Sequence, residues 1–129
     1  AKNIVKKIIA AGKNISKSKV LVMGATFKED VSDIRNSKVA DIVKELKSFG
    51  VKVEIVDPHA DSDELKHEYG FGLNKLGKNY DGIIVAVNHK EYKNLDEKYF
   101  KSILANKGVL VDVKGMYRGK MKGITYWSL

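Results

Sequence analysis

The chain contains no cysteine, a single proline and no run of apolar residues long enough to span a bilayer. The missing cysteines exclude a disulfide framework, a thiolate metal centre and a cysteine nucleophile. The short apolar runs exclude a membrane-spanning helix. The amino terminus lacks the long apolar core and cleavage site of a signal peptide; instead Ile4, Val5, Ile8, Ile9 and Ala11 mark one face of a helix. No methionine opens the chain, which points to a piece of a longer polypeptide. Together these features lead us to expect a cytoplasmic domain.

What is present is one domain's worth of chain, 129 residues with 43% hydrophobic content and a net charge of +8. That size supports a real core. A charge of this sign raises nucleic acid as a partner. The lysines are scattered, however, and no RNP or zinc-finger pattern appears, so no nucleic-acid partner is expected. An anionic small ligand or an acidic neighbouring domain accounts for the sign equally well.

Four apolar residues, Val20-Leu21-Val22-Met23, end at Gly24 and read as a strand covered on both faces. A loop with one lysine and one arginine follows, and Asn36 or Ser37 is placed to cap the next helix. That helix carries the stripe Val39, Ile42, Val43, Leu46 and Phe49, and Gly50 offers a left-handed stop. Val51–Val56 is a second strand, closed by Asp57-Pro58, and a parallel right-handed crossover is the default for such a unit. Asp61–Tyr69 reads as a weaker helix, and Gly70–Tyr80 as irregular with Leu73 and Leu76 dipping inward. Gly82–Val87 is a third strand. Asn94 is positioned to cap a helix running to about Ala105, with Tyr99, Phe100, Ile103 and Leu104 inward. Gly108–Val113 is a fourth strand, and Ile124–Trp127 a short last one. Strands alternating with helices predict an α/β, Rossmann-like doubly wound, mostly parallel sheet, preceded by an amino-terminal helix.

A loop at the carboxyl end of the first strand is where such sheets bind ligands. Lys28 and Arg35 sit there, and Lys114 follows the fourth strand on the same sheet edge, making three candidate anion contacts. Equally, Lys28 is simply solvated and Arg35 pairs with Asp30 or Asp33. Phe27 either stacks on a base or plugs the core, the latter being the default. Neither a G-x-G-x-x-G fingerprint nor a Walker A sequence is present, so Asp57 is read as a turn or cap residue. His59, His67 and His89 share no metal-ligand spacing, which favours surface or capping roles and leaves no metal expected. Tyr117, Tyr126 and Trp127 are read as packing the carboxyl-terminal end.

The order of these motifs carries a resemblance. Gly24-Ala25-Thr26-Phe27-Lys28, then Asp33-Ile34-Arg35-Asn36-Ser37, then Asp57-Pro58 resembles the G-x-x-F-K, D-x-R-x-S and D-P pattern of the UDP-glucose/GDP-mannose dehydrogenase family's carboxyl-terminal, UDP-binding domain. Ala86-Val87-Asn88-His89 and Asp112-Val113-Lys114-Gly115 are similar to further family segments, and the ending Gly123–Leu129 resembles the subgroup oxidising UDP-N-acetylhexosamines. The resemblance implies a parent enzyme that oxidises a sugar C6 alcohol to a carboxylate with NAD, for polysaccharide biosynthesis. NAD would be bound mainly by an amino-terminal domain, and a central domain would supply the catalytic cysteine. It implies that Phe27, Lys28 and Lys114 contact a UDP-sugar and that Arg35 reaches toward the NAD pyrophosphate. Lys114 stands where relatives often carry an arginine. Residues 1–16 would be the tail of a linking helix and 17–129 the UDP-binding domain. The parent would be a homo-oligomer, and this chain alone would be inactive. The alternative is a free-standing nucleotide- or anion-binding module with no catalytic parent.

Overall fold

The computed structural model describes Lys6 and residues 17–128. The expected amino-terminal helix therefore lies almost wholly outside the described residues. Five strands, all paired in parallel, form one sheet in the order β2-β1-β3-β4-β5. They are β1 (Lys19–Met23), β2 (Lys52–Val56), β3 (Tyr80–Val85), β4 (Leu104–Asp112) and β5 (Thr125–Ser128). The doubly wound expectation holds, and the order reverses between β1 and β3.

Period-2 alternation divides the apolar side chains between the sheet's two faces. Val20, Val22, Ile84, Val109 and Val111 face one layer, closed by Val39, Val43 and Leu46 of α1 (Val39–Ser48) and Leu65 of α2 (Ser62–Tyr69). Leu21, Met23, Ile83, Val85 and Leu110 face the other, closed by Phe100 and Ile103 of α3 (Glu97–Ile103) and by Tyr80, Tyr92 and Tyr117. Strands buried on both sides read as continuous apolar runs, which is why β1, β3 and β4 stand out in the sequence.

The helix boundaries show which local signals prevailed. Lys38 occupies the N-cap position of α1 without a side-chain cap, while the Ser37 hydroxyl, one residue earlier, accepts from the Val39 amide at 3.3 Å. Asp61 caps α2 through the Asp63 and Glu64 amides, and Gly70 ends it at φ +80°. The cap of α3 is Asp96, which accepts from the Tyr99 amide at 2.9 Å; Asn94 does not serve. Starting there puts Phe100 and Ile103 on the buried face, and Leu104 already begins β4. β3 begins two residues earlier than expected. Leu73 packs on the core, whereas Leu76 stays 46% exposed rather than dipping in.

The connection from β4 to β5 contains no helix. The buried Asp112 carboxylate organises it, accepting from the Met116 and Tyr117 amides and from the Tyr126 hydroxyl. The Tyr117 hydroxyl donates to the Tyr92 carbonyl, and Glu97 accepts from the Gly123 amide. Tyr117, Tyr126 and Trp127 thus pack the carboxyl-terminal end, as expected.

Candidate functional site

The reversal point between β1 and β3 opens a crevice at the strands' carboxyl ends, where sheets of this order bind ligands. Gly24 shapes it. At φ +103° it turns the chain sharply out of β1, and a Cβ there would lie 2.7 Å from the Val87 Cβ and 3.0 Å from the Val87 nitrogen. The two chains approach that closely only because one of them has no side chain.

Beyond Gly24, Ala25 and Thr26 are buried and the loop then surfaces, leaving Phe27 55% exposed. That overturns the core-plug default for Phe27. The aromatic ring borders a cavity of about 270 Å³ lined by Thr26, Phe27, Lys28, Lys38, Val87 and Lys114, among others. Phe27, Lys28 and Lys114, separated by up to 87 positions, therefore share one cavity. Sequence reasoning missed a third ammonium, Lys38, at the start of α1. No acidic residue lines the cavity, and none of its lysines pairs with a carboxylate among the described residues. Three cations beside the positive end of a helix favour an anion. A larger groove of about 830 Å³ runs between α1 and α2, but it lies along the helices rather than at the strand ends, and Asp41 and Glu68 offset its lysines.

Arg35 is not part of this lining. Its Nε and Nη2 each lie 3.1 Å from the Asp33 carboxylate, a bidentate pair on the surface. The hydrogen bonds from Arg35 hold the Asp33 carboxyl below the usual carboxylate range, and the same bonds raise the guanidinium.

Three backbone amides of this loop, a usual phosphate cradle after a first strand, are already taken. The Ala25 amide donates to Asp57 Oδ2 at 2.6 Å, Phe27 to the Asp33 carbonyl at 2.7 Å, and Asp30 to His89 Nδ1 at 2.9 Å. The positive charge lining the cavity comes from side chains.

Asp57, at the end of β2, is the turn residue the sequence suggested, with its Oδ1 accepting from the His59 and Ala60 amides. Burial pushes its carboxyl up, but the amides of Ala25, His59 and Ala60 and the His89 ring outweigh it, so the net shift is downward. The surface-or-capping expectation for the histidines fails at His89, which is fully buried. His67 is exposed on α2, and His59 pairs with Glu91 at 2.9 Å. Asp30, His59 and His89 bring potential ligand atoms within 4.8 Å of one another, a convergence that spacing along the chain concealed. Both nitrogens of His89 are nonetheless committed to protein partners.

An open parallel sheet with a basic, aromatic-rimmed cavity at its reversal point defines an anion-binding domain of the doubly wound α/β class. Residues 21–119 match the model of the UDP-glucose/GDP-mannose dehydrogenase family, UDP binding domain, and the chain belongs to that family. It is 39% identical over 116 residues to UDP-N-acetyl-D-glucosamine 6-dehydrogenase of Salmonella typhi, spanning 88% of this chain and 27% of that protein. Among solved structures, the UDP-N-acetyl-mannosamine dehydrogenase Cap5O of Staphylococcus aureus superposes with a TM-score of 0.75 at 27% identity, over 98% of this chain and 29% of that one. An NDP-N-acetyl-D-galactosaminuronic acid dehydrogenase from Methanosarcina mazei shares the fold, with a TM-score of 0.81 at 24% identity, over 98% of this chain and 28% of that one. The chain thus spans little more than a quarter of the relatives it matches, as their UDP-binding domain.

Proposed function

We propose that this chain is the UDP-sugar-recognition domain of an NAD-dependent nucleotide-sugar 6-dehydrogenase, with a UDP-N-acetylhexosamine as substrate. The observation that carries the reading is the joint placement of Phe27, Lys28, Lys38 and Lys114 around one cavity at the strand ends. The three ammoniums neutralise a diphosphate, and the exposed Phe27 ring offers a stacking face for the uracil, a contact worth about 1–3 kcal/mol per base. The ammoniums act as point charges rather than bidentate forks, so they hold the diphosphate without fixing its orientation closely.

Oxidising a C6 alcohol to a carboxylate needs a hydride acceptor, which NAD supplies in such enzymes. This chain has no cysteine to act as a nucleophile and no G-x-G-x-x-G fingerprint after its first strand. We therefore place the NAD-binding and central catalytic domains elsewhere in a homo-oligomeric, cytoplasmic parent, joined to residues 17–129 through 1–16. The isolated chain is inactive. Arg35, exposed and oriented by Asp33, is assigned to the NAD pyrophosphate across the domain boundary.

UDP titration of the ¹⁵N-labelled chain tests the reading. Shifts centred on Phe27, Lys28, Lys38 and Lys114, with Lys28→Ala weakening binding about five- to tenfold, are expected. Shifts centred on the groove between α1 and α2, or an affinity indifferent to Lys28→Ala, would overturn it.

A further inference from the structure

We propose that His89 is the positioning residue of the UDP site, a single imidazole that fastens both ends of the loop presenting Phe27 and Lys28. The inference rests on the UDP reading for its purpose and on independent geometry for its mechanism.

The ring is pinned between the ends of three structural segments. Its Nδ1 accepts from the Asp30 amide at 2.9 Å, so Nδ1 carries no proton and Nε2 does. Nε2–H faces Asp57 Oδ2 at 2.9 Å and Thr26 Oγ1 at 3.2 Å. The Thr26 hydroxyl spends its own proton on the Lys28 carbonyl at 2.8 Å, so toward His89 it can only accept. One tautomer therefore satisfies every partner. The same ring ties Thr26, before Phe27 and Lys28, to Asp30, after them. Packing fixes its plane, with His59 at 4.7 Å and Tyr92 at 5.6 Å between ring centroids.

The loop needs such a fastening. Asp30 sits at φ +61°, a left-handed conformation that L-residues adopt at a cost. Besides its amide bond to His89, its carboxylate accepts from the Lys90 amide at 2.7 Å, directly after His89. Phe27 and Lys28 are exposed. Besides the Phe27 amide's bond to the Asp33 carbonyl at 2.7 Å, the fastenings that flank them are at Thr26 and Asp30, and both converge on His89. Preorganising two side chains in this way spares their ordering cost on binding.

Two isosteric substitutions separate positioning from simple stability. In His89→Asn the side-chain oxygen replaces Nδ1 as acceptor for the Asp30 amide, and the donor to Asp57 is lost. In His89→Gln the side-chain amide replaces Nε2–H toward Asp57, and the acceptor for Asp30 is lost. The Thr26 end keeps a second anchor, the Ala25 amide on Asp57 at 2.6 Å, so we expect His89→Asn to keep the Asp30 amide protected from hydrogen exchange and to weaken UDP only about threefold. We expect His89→Gln to expose that amide and to weaken UDP about tenfold, while the β3 and β4 amides stay protected. Equal weakening by both variants, or weakening that tracks each variant's loss of unfolding stability, would overturn the proposal.

Should either variant fail to fold, wild type supplies the measurement. UDP should slow exchange of the Asp30 amide, and an unchanged rate in the presence of bound UDP would overturn the proposal. Failure of wild type to bind UDP at all removes the UDP reading. Loss of Asp30 protection in His89→Gln but not in His89→Asn would still establish the fastening.

Discussion

Replacing Gly24 with alanine tests whether the close approach of β1 and β3 shapes the site. Two costs arise from the geometry. An L-residue held in left-handed backbone costs about 1–2 kcal/mol, and φ is +103° here. The added methyl would also lie 2.7 Å from the Val87 Cβ, 2.9 Å from its Cγ2 and 3.0 Å from its backbone nitrogen. Forcing such an overlap costs about 1–3 kcal/mol. Together, Gly24→Ala should lose about 2–5 kcal/mol, a large share of the roughly 5–15 kcal/mol typical of a domain. Urea unfolding followed by Trp127 fluorescence reads this as a midpoint lowered by about 1–2 M at unchanged slope. Val87→Ala provides a sharp control. It removes only the Cγ2 contact and leaves the Cβ and nitrogen in place, so the double variant should regain little. A midpoint within about 0.3 M of wild type, or full rescue by Val87→Ala, would refute the reasoning.

Two further outcomes follow from buried polar groups. The Tyr92 hydroxyl is buried with no hydrogen-bond partner among the described residues, while its carbonyl serves Tyr117. Tyr92→Phe should therefore stabilise by about 1 kcal/mol, a rise of about 4 °C in Tm by calorimetry, and a fall would count against it. Asp57 titrates below its ordinary value, so its stabilising contribution is complete above about pH 4 and is lost as pH falls through the depressed folded value. Asp57→Asn should cost about 2–3 kcal/mol at pH 7, with an NH₂ now facing donors, and should flatten the acid limb of a stability–pH curve. An unaltered acid limb would place that limb in other carboxylates.

The sheet was legible in the sequence because its central strands are buried on both faces. Burial on both sides turns alternation into unbroken apolar runs such as Val20–Met23. α1 was legible because Val39, Val43 and Leu46 recur at helical spacing and pack on one layer. Where the reading slipped, two chemically similar residues competed. Asn94 and Asp96 are both good caps, and only the burial of Phe100 and Ile103 decides for Asp96. Lys28 and Lys114 were legible as strand-end cations, whereas Lys38 was hidden by uncertainty over where α1 begins. His89 was the hardest residue to foresee. Its partners lie 32, 59 and 63 positions away in sequence, so the segment Ala86-Val87-Asn88-His89 marked the residue without revealing its burial or its partners. Phe27 misled for the opposite reason, since an aromatic beside a buried strand is ordinarily core.

The arrangement at the β5 end has a consequence for self-association. Val109–Asp112 of β4 are all buried, and among the described residues their outer side pairs with the four residues of β5. A cut between Gly115 and Thr125 would strip that cover while leaving the cavity-lining Val113 and Lys114 on the β4 side. It would leave an apolar strand with unpaired amides and carbonyls, a template for adding a strand from another molecule. The Asp112 carboxylate, which ties the turn after β4 to Tyr126, and Glu97, which accepts from the Gly123 amide, help to keep that cover in place.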